Sequence, residues 1–342
     1  MFLGIEIGGT KLQLGIGPGD GSLAGLWRGK VDAEAGGDGI RRQILAAVPE
    51  LLSSAGVLRS HLRGVGVGFG GPVDDIAQRV IKSHQIAGWN DFPLPDWLGE
   101  ALQLPVVLGN DADVACLAEA LFGAGRGLSP IFYITVGSGI GGGLVINGEI
   151  YRGLGRGASE IGHLRIFDHR PGQEPAFRPL EEITSGWAIG DYARRRLAKG
   201  DGADSLLRTY AGQVRARPGD ETLAVPTPSE VAARGFEQLA AGDVAEAARQ
   251  GDAFARQILN DCLAALAEAA CAMVVLLCPR RVVIGGGVSL MGEDLFFRPL
   301  RQMVAERIFP PFAALNEIVA SALGEAVVVH GALALARKRL KG

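Results

Sequence analysis

The placement of glycine constrains this chain more than any other feature. Five clusters stand out: residues 7–11 (IGGTK), 64–73 (GVGVGFGGPV), 136–144 (VGSGIGGGL), 153–163 (GLGRGASEIGH) and 282–289 (VVIGGGVS). Four of them follow a short apolar run: LGIEI, GVGV, IFYITV and RVVI. A strand that ends in a glycine turn can present backbone N–H groups to phosphate, because no side chain blocks the approach. One such cluster alone is more often a plain tight turn. Four or five in one chain describe an architecture. Glycine supplies 51 of the 342 residues, about twice an average usage of roughly 7%. There is no triplet repeat and no Gly/Ser linker, which leaves local backbone work as its role.

The remaining pattern supports an α/β chain. Residues 2–7, 12–17 and 23–31 read as an antiparallel meander. Ile40, Ile44, Leu45, Val48, Leu51 and Leu52 fall at helical spacing over 38–55. A strand at 64–69, a loop through 91–99 and a strand at 105–109 follow. A helix then carries Val114, Leu117, Ala118 and Leu121. IFYITV and GGGLVING make a hairpin. Periodicity predicts a long helix over 254–277, ended by Pro279 before the strand RVVIG. Residues 200–230 are polar and Gly/Pro-rich, a surface connection. Strand-then-helix units occurring twice predict two α/β lobes facing each other across a cleft, as the length also suggests.

Composition narrows the partners. A formal net charge of −3 offers no footprint for nucleic acid or an anionic membrane. The four cysteines, at 116, 262, 271 and 278, have no paired spacing and suit a reducing compartment. The N-terminus lacks a basic and apolar leader. The most apolar stretch, LAALAEAACAMVVLLC, reads as too short and too interrupted to span a bilayer. A soluble cytoplasmic protein is expected.

The turn Gly8-Gly9-Thr10-Lys11 offers N–H groups, a hydroxyl and a cation to a polyphosphate. The turn Gly137–Gly143, opened by Thr135, offers a second set. Two such cradles imply a nucleotide held between lobes. No GxxxxGK[ST] occurs, and GSGIGGG lies in a hairpin rather than opening a helix, so neither a P-loop nor a Rossmann site is indicated. Phosphoryl transfer needs a group that takes the proton from the attacking hydroxyl. Asp111, at a strand end, is the candidate, although a carboxylate there is also a common N-cap. Glu160 and His163, three residues apart, could bond adjacent hydroxyls of a polyol or be structural.

Taken in order, IEIGGTK, GVGFGGPVD, GWNDFPL, GNDAD, TVGSGIGGGLVINGEIYRG, ASEIGH, LEEITSG and VVIGGGVS resemble the ROK family of sugar kinases, over residues 4–289. The resemblance implies a two-lobed actin-like ATPase fold of ribonuclease H-like type. Its small lobe would be 1–109 plus about 323–342, and its large lobe 110–322. It implies ATP-dependent phosphorylation of a hexose or N-acylhexosamine, with Mg²⁺ accompanying the nucleotide and glucose as the default sugar. Asp111 corresponds to the general base. Gly71, Pro72, Asn110, Glu160, His163 and Glu181 correspond to sugar contacts. Gly8, Gly9, Thr10, Lys11, Thr135, Gly137 and Gly139 match the phosphate loops, and Gly286 and Gly287 the segment near adenosine. Family members are often homodimers.

Three positions depart from the family pattern. Glu6 stands where Asp is usual, which leaves it an indirect role toward Mg²⁺. The stretch LRIFDHRPGQEPAFRPLEE has none of the cysteines of a family zinc cluster, so His163 and His169 are left without thiolate partners and no zinc is expected. Phe167, Phe177 and the prolines are then expected to hold that loop by packing. Asp113 replaces a common Asn. Other readings are a sugar-binding protein without catalysis, a kinase for fructose, N-acetylglucosamine or N-acetylmannosamine, a sugar-responsive regulator, for which no DNA-binding domain precedes residue 7, and an acetate-kinase-like nucleotide hydrolase.

Overall fold

In the computed structural model, residues 1–83, 86–155, 157–212, 236, 238–313 and 317–340 are described. The first sheet contains β1 (Phe2–Ile7), β2 (Lys11–Gly17), β3 (Gly25–Lys30), β4 (Val65–Phe69) and, after a small hairpin of β5 (Val73–Asp74) and β6 (Arg79–Val80), β7 (Val106–Asn110). Its order is β3-β2-β1-β4-β7, an antiparallel meander extended by two parallel strands. The second sheet contains β8 (Ile131–Val136), β9 (Ile140–Ile146), β10 (Glu149–Ile150), β13 (Arg281–Gly285) and β14 (Glu317–Ala320) in the order β10-β9-β8-β13-β14. It repeats the same pattern, three antiparallel strands and two parallel additions. β11 (Arg165–Asp168) and β12 (Ala176–Pro179) form a separate hairpin.

Each sheet has its own helices. α1 (Gly36–Ala55) lies against β2 and β3, burying Ile40, Ile44, Val48 and Leu51 at the spacing the sequence shows. α2 (Leu94–Leu102) occupies much of the stretch expected to be a loop. Its prolines, Pro93 and Pro95, look like breakers, but proline suits the first helical turn, where no N–H is needed. α3 (Asp111–Phe122) packs on β8 and β9. Beyond β12 come α4 (Glu181–Thr184), α5 (Gly186–Ala198), α6 (Leu206–Gly212), α7 (Ala241–Arg249), α8 (Ala253–Leu277) and α9 (Arg298–Arg307). α6 interrupts the expected surface connection and buries Leu207; residues 213–230 of that segment lie outside the described residues. α8 is, by length and composition, long enough to cross a membrane, contrary to the expectation above. However, 67% of its most apolar stretch is buried within the protein, where Ile258, Leu259, Leu263 and Leu266 join the core that includes Phe132 and Ile134 of β8 and Val282 and Ile284 of β13.

α10 (Val327–Arg339) joins the two halves. One side of it covers β1, β2 and β4, and the other crosses α3. The closeness of this packing explains glycines that no turn requires. A Cβ on Gly66, in mid-strand, would lie 1.9 Å from the Ala332 carbonyl oxygen of α10. A Cβ on Gly331 would lie 1.8 Å from the Val114 carbonyl oxygen of α3. At its far end α3 is pinned by Glu119, fully buried. One of its oxygens accepts from the Ser321 hydroxyl (2.6 Å) and the N–H groups of Ala322 and Leu323 (3.0 Å each). The other accepts from the Ala124 N–H at 2.7 Å.

Gly331→Ala should therefore invert the usual helix-propensity result. Alanine gains about 1 kcal/mol in a helix interior, but here its methyl meets a backbone carbonyl that cannot rotate away, and overpacking costs about 1–3 kcal/mol. Denaturant unfolding should show a net loss of stability. A gain would mean that the helices separate freely.

Candidate functional site

The strand register brings the glycine turns and carboxylates together. Ile7, Phe69 and Asn110 are aligned neighbours across β1, β4 and β7, so the residues that follow them, Gly8, Gly70 and Asp111, leave the sheet side by side. The Gly70 N–H donates to the Ile7 carbonyl at 2.8 Å. A Cβ on Gly70 would lie 3.4 Å from Asp111 Oδ2. In the other sheet Thr135 pairs with Gly285, which places the turn after β8 beside Gly286 and Gly287. Both sets lie at the carboxyl ends of parallel strands, where α/β proteins bind ligands.

Asn110, not Asp111, caps α3. Its Oδ1 accepts from the N–H groups of Ala112 (2.8 Å) and Asp113 (3.2 Å). Its Nδ2 donates to the Gly71 carbonyl at 3.1 Å. This settles the alternative left open for GNDAD: the cap is supplied by the residue before, and Asp111, the first helical residue, is partly buried with its carboxylate over the strand ends. Asp111 is pushed up to about 7, mainly by burial, with the charges of Glu6 and Glu160 adding to the effect. The Ala112 N–H pulls the other way, as does the helix N-terminus, worth ~0.3–1 kcal/mol; burial wins. Asp113 lies beneath, nine-tenths or more buried, with no partner for Oδ1 among the described residues. Burial, then Glu160 and Asp111, holds its carboxyl well above the ordinary range.

The first turn is organised by Glu6. Buried in β1, it pairs with Lys11 Nζ at 3.0 Å and accepts from Gln13 Nε2 at 2.7 Å. Burial raises its carboxyl and Lys11 partly offsets this. Lys11 and Gln13 also reach the Glu325 carbonyl, at 3.2 and 2.8 Å, and Arg28 Nε donates to Gln13 Oε1 at 3.0 Å. Gln13 and Arg28 escaped the motif reading. The available signal is positional: Gln13 pairs with Glu6 across the strands and Arg28 pairs with Gln13, so a polar ladder runs through an otherwise apolar sheet. Thr10 is exposed. The Gly8 N–H is spent on the Lys11 carbonyl (3.0 Å), and the Gly137 N–H on the Gly139 carbonyl (2.9 Å). Each turn therefore uses one of its donors to close itself.

Glu181, at the start of α4, does not stand apart from the second turn. Its Oε2 accepts from the Ile140 N–H at 2.9 Å, and a Cβ on Gly139 would lie 2.4 Å from that oxygen. Glu160, just before a short 3₁₀ turn (Ile161–His163), and His163, its last residue, are exposed. Pro72 accepts from the Ile81 N–H at 3.0 Å and Gly71 holds Asn110. Gly286 takes φ +87, and a Cβ there would lie 2.5 Å from the Val136 carbonyl oxygen, while space beside Gly287 is open.

The loop after His163 is held differently from the expectation. Phe167 and Phe177 face each other across the β11–β12 hairpin with ring centroids 5.3 Å apart, yet they are 48% and 59% exposed. The buried hold is an ion pair, Asp168 with Arg170. All four cysteines are free, and Cys278 alone is exposed.

Among the described residues no three His, Cys, Asp or Glu side chains converge as a ready-made metal site. Magnesium does not require one, since it is commonly held by one or two carboxylates together with phosphate oxygens and water. Glu6 and Asp111, whose mutual repulsion raises the Asp111 carboxyl, suit a cation bound in that way.

Two five-stranded sheets of matching pattern, a helix pair between them and carboxylates at the strand ends define an actin-like ATPase fold of ribonuclease H-like type, with two lobes. A model of the ROK family matches residues 2–339. The chain belongs to the ROK family. It is 32% identical to a glucokinase of Thermotoga maritima over all of this chain and 98% of that one. A ROK family glucokinase of Streptomyces griseus, solved in complex with glucose and AMPPNP, superposes with a TM-score of 0.71 at 28% identity, over 98% of this chain and 99% of that one. A ROK hexokinase of Thermus thermophilus gives 0.73 at 25% identity, over 97% and 96%.

The raised Asp111 carboxyl fixes the sign of a stability effect. The unfolded chain loses this proton near its ordinary value of 3.8 and the folded chain only at about 7. Folding therefore retains the proton in between, and stability falls as pH rises across that window. Asp111→Asn removes the cost. Thermal melts should show the variant level with the parent at pH 4 and more stable by a few degrees at pH 8; equal melting temperatures at both would refute the assignment.

Proposed function

We propose that the chain phosphorylates glucose, with Asp111 as general base and ATP as donor. Its family membership and full-length likeness to glucokinases make it an ATP-dependent sugar kinase; the sugar and the residue roles are the proposal. The observation that carries it is Asp111 itself. A partly buried carboxylate lies at the ends of three aligned strands, freed from capping duty by Asn110 and raised to about 7. A base poised near the working pH combines a useful fraction of the ionised form with good driving force for proton transfer.

Asn110, Glu160, His163 and Glu181, with Gly71 and Pro72 behind them, would orient the sugar ring so that one hydroxyl faces Asp111. Lys11, held by Glu6, would place its ammonium at the phosphates beside Gly9 and Thr10. The turn Thr135–Gly139 would take the phosphates from the other lobe, and Gly286 and Gly287 would leave room for the nucleoside. Mg²⁺ would be held by Glu6 and Asp111 through water and by the nucleotide, and would neutralise charge on the transferred group. Residues 1–109 with 323–342 and residues 110–322 would be the lobes that close around the substrates and exclude water. The free cysteines fit a cytoplasmic setting.

A coupled assay of ADP release over a panel of glucose, fructose, mannose, N-acetylglucosamine and N-acetylmannosamine tests this. Glucose should give the highest kcat/KM, and Asp111→Asn should lower kcat by at least ~10²-fold. Because the ionised form is the active one, kcat/KM for the parent should fall below about pH 7. No turnover on any sugar, with glucose still bound in calorimetry, would instead identify a sugar-binding protein without catalysis.

A further inference from the structure

We propose that the buried Asp168–Arg170 pair is a positioning clamp that sets the affinity for the sugar by fixing His163 and Glu181 without a metal. This rests on the reading of those two residues as sugar contacts. The β11–β12 hairpin begins two residues after His163 and ends two residues before Glu181, and its base is closed by the Leu180 N–H donating to the Leu164 carbonyl at 2.9 Å. Whatever orients the hairpin and the helix after it therefore orients both residues.

Arg170 does this from within. Its Nε and Nη2 donate to the two oxygens of Asp168, each at 2.9 Å. Its Nη1 donates to the Ile183 carbonyl at 2.9 Å and lies 3.3 Å from Cys262 Sγ. The guanidinium lies over the Tyr192 ring, 4.4 Å from the centroid. One side chain thus ties the hairpin to α4, α5 and α8. Close by, the Thr184 hydroxyl donates to the Cys262 carbonyl at 2.7 Å. α4 has four residues, too few to be stable alone. These two anchors set its direction, and with it the direction of Glu181.

Stability does not explain such a pair. Two buried charges lose hydration that their attraction only partly restores, and a well-packed apolar replacement is often as stable. What the pair adds is direction, since a guanidinium with two planar bonds to a carboxylate leaves its third nitrogen only one way to point. Lysine cannot reproduce that fork.

The experiment measures KM for glucose and for ATP, with kcat, in Arg170→Met, Arg170→Lys and the double variant Asp168→Asn/Arg170→Met, alongside melting temperatures. The double variant removes both buried charges and leaves only the partly exposed Arg178 without the Asp168 carboxylate it meets at 3.3 Å, so it should fold even if Arg170→Met does not. KM for glucose should rise roughly tenfold or more in each, and by more than KM for ATP, whose phosphate turn shares Glu181 through the Ile140 N–H. Lowered melting temperatures with an unchanged glucose KM would show a merely structural pair and overturn the clamp. If the parent phosphorylates no sugar, the proposed function fails, and hydrogen exchange decides the clamp separately. The double variant should then exchange faster at residues 161–168 and 180–185 while residues 2–7 stay protected. Unchanged exchange in those segments overturns it.

Discussion

The contact between α3 and α10 is the constraint on which the rest of the structure depends. α3 belongs to the second sheet by packing and carries Asp111 at one end and Glu119 at the other. α10 belongs to the first sheet and carries Gly331, which allows the two backbones to touch. Side chains between these helices would add a layer of several ångströms and move Asp111 off the ends of β1 and β4. Glu119 fixes the rotation of α3 about that contact through four donors on the chain that leads into α10 and at the helix end.

Around Asp111 the protein concentrates like charge. Glu6, Glu160 and Asp113 all lie close enough to be felt, and Glu6 is paired with Lys11. A site built for stability would not be arranged this way. On the proposed function, such an arrangement suits a group that must receive a proton, and a cation bound with the nucleotide would offset the like charge around it. In that reading, bound ligands would relieve the energetic disadvantage of the resting protein.

Much of the fold was legible in the sequence. The glycine turns, the meander, α1, α8 and the hairpin of β8 and β9 follow from patterns that local physics enforces. The place of Asp111, between a strand and a helix, was also legible. What was hidden depended on contacts between distant segments. α2 was obscured by two prolines that sit where a helix tolerates them. The roles of Asn110 as cap and of Glu181 as a partner of Ile140 needed the third dimension. So did Gln13, whose significance comes from facing Glu6 across a strand. Phe167 and Phe177 were expected, with the prolines, to hold the loop after His163 by packing, but the hairpin leaves both largely exposed and a charged pair takes the interior.

The glycines within strands carry a consequence of another kind. Gly66 touches no ligand-facing residue, yet any side chain there would push α10 off the sheet and carry α3 along with it. On the role proposed for Asp111, a genetic screen for lost activity would not distinguish alleles at such positions from alleles at Asp111. Tolerance to substitution along this chain therefore maps the backbone-to-backbone seams as faithfully as it maps the chemistry, and a conservation profile would need the coordinates to tell one from the other.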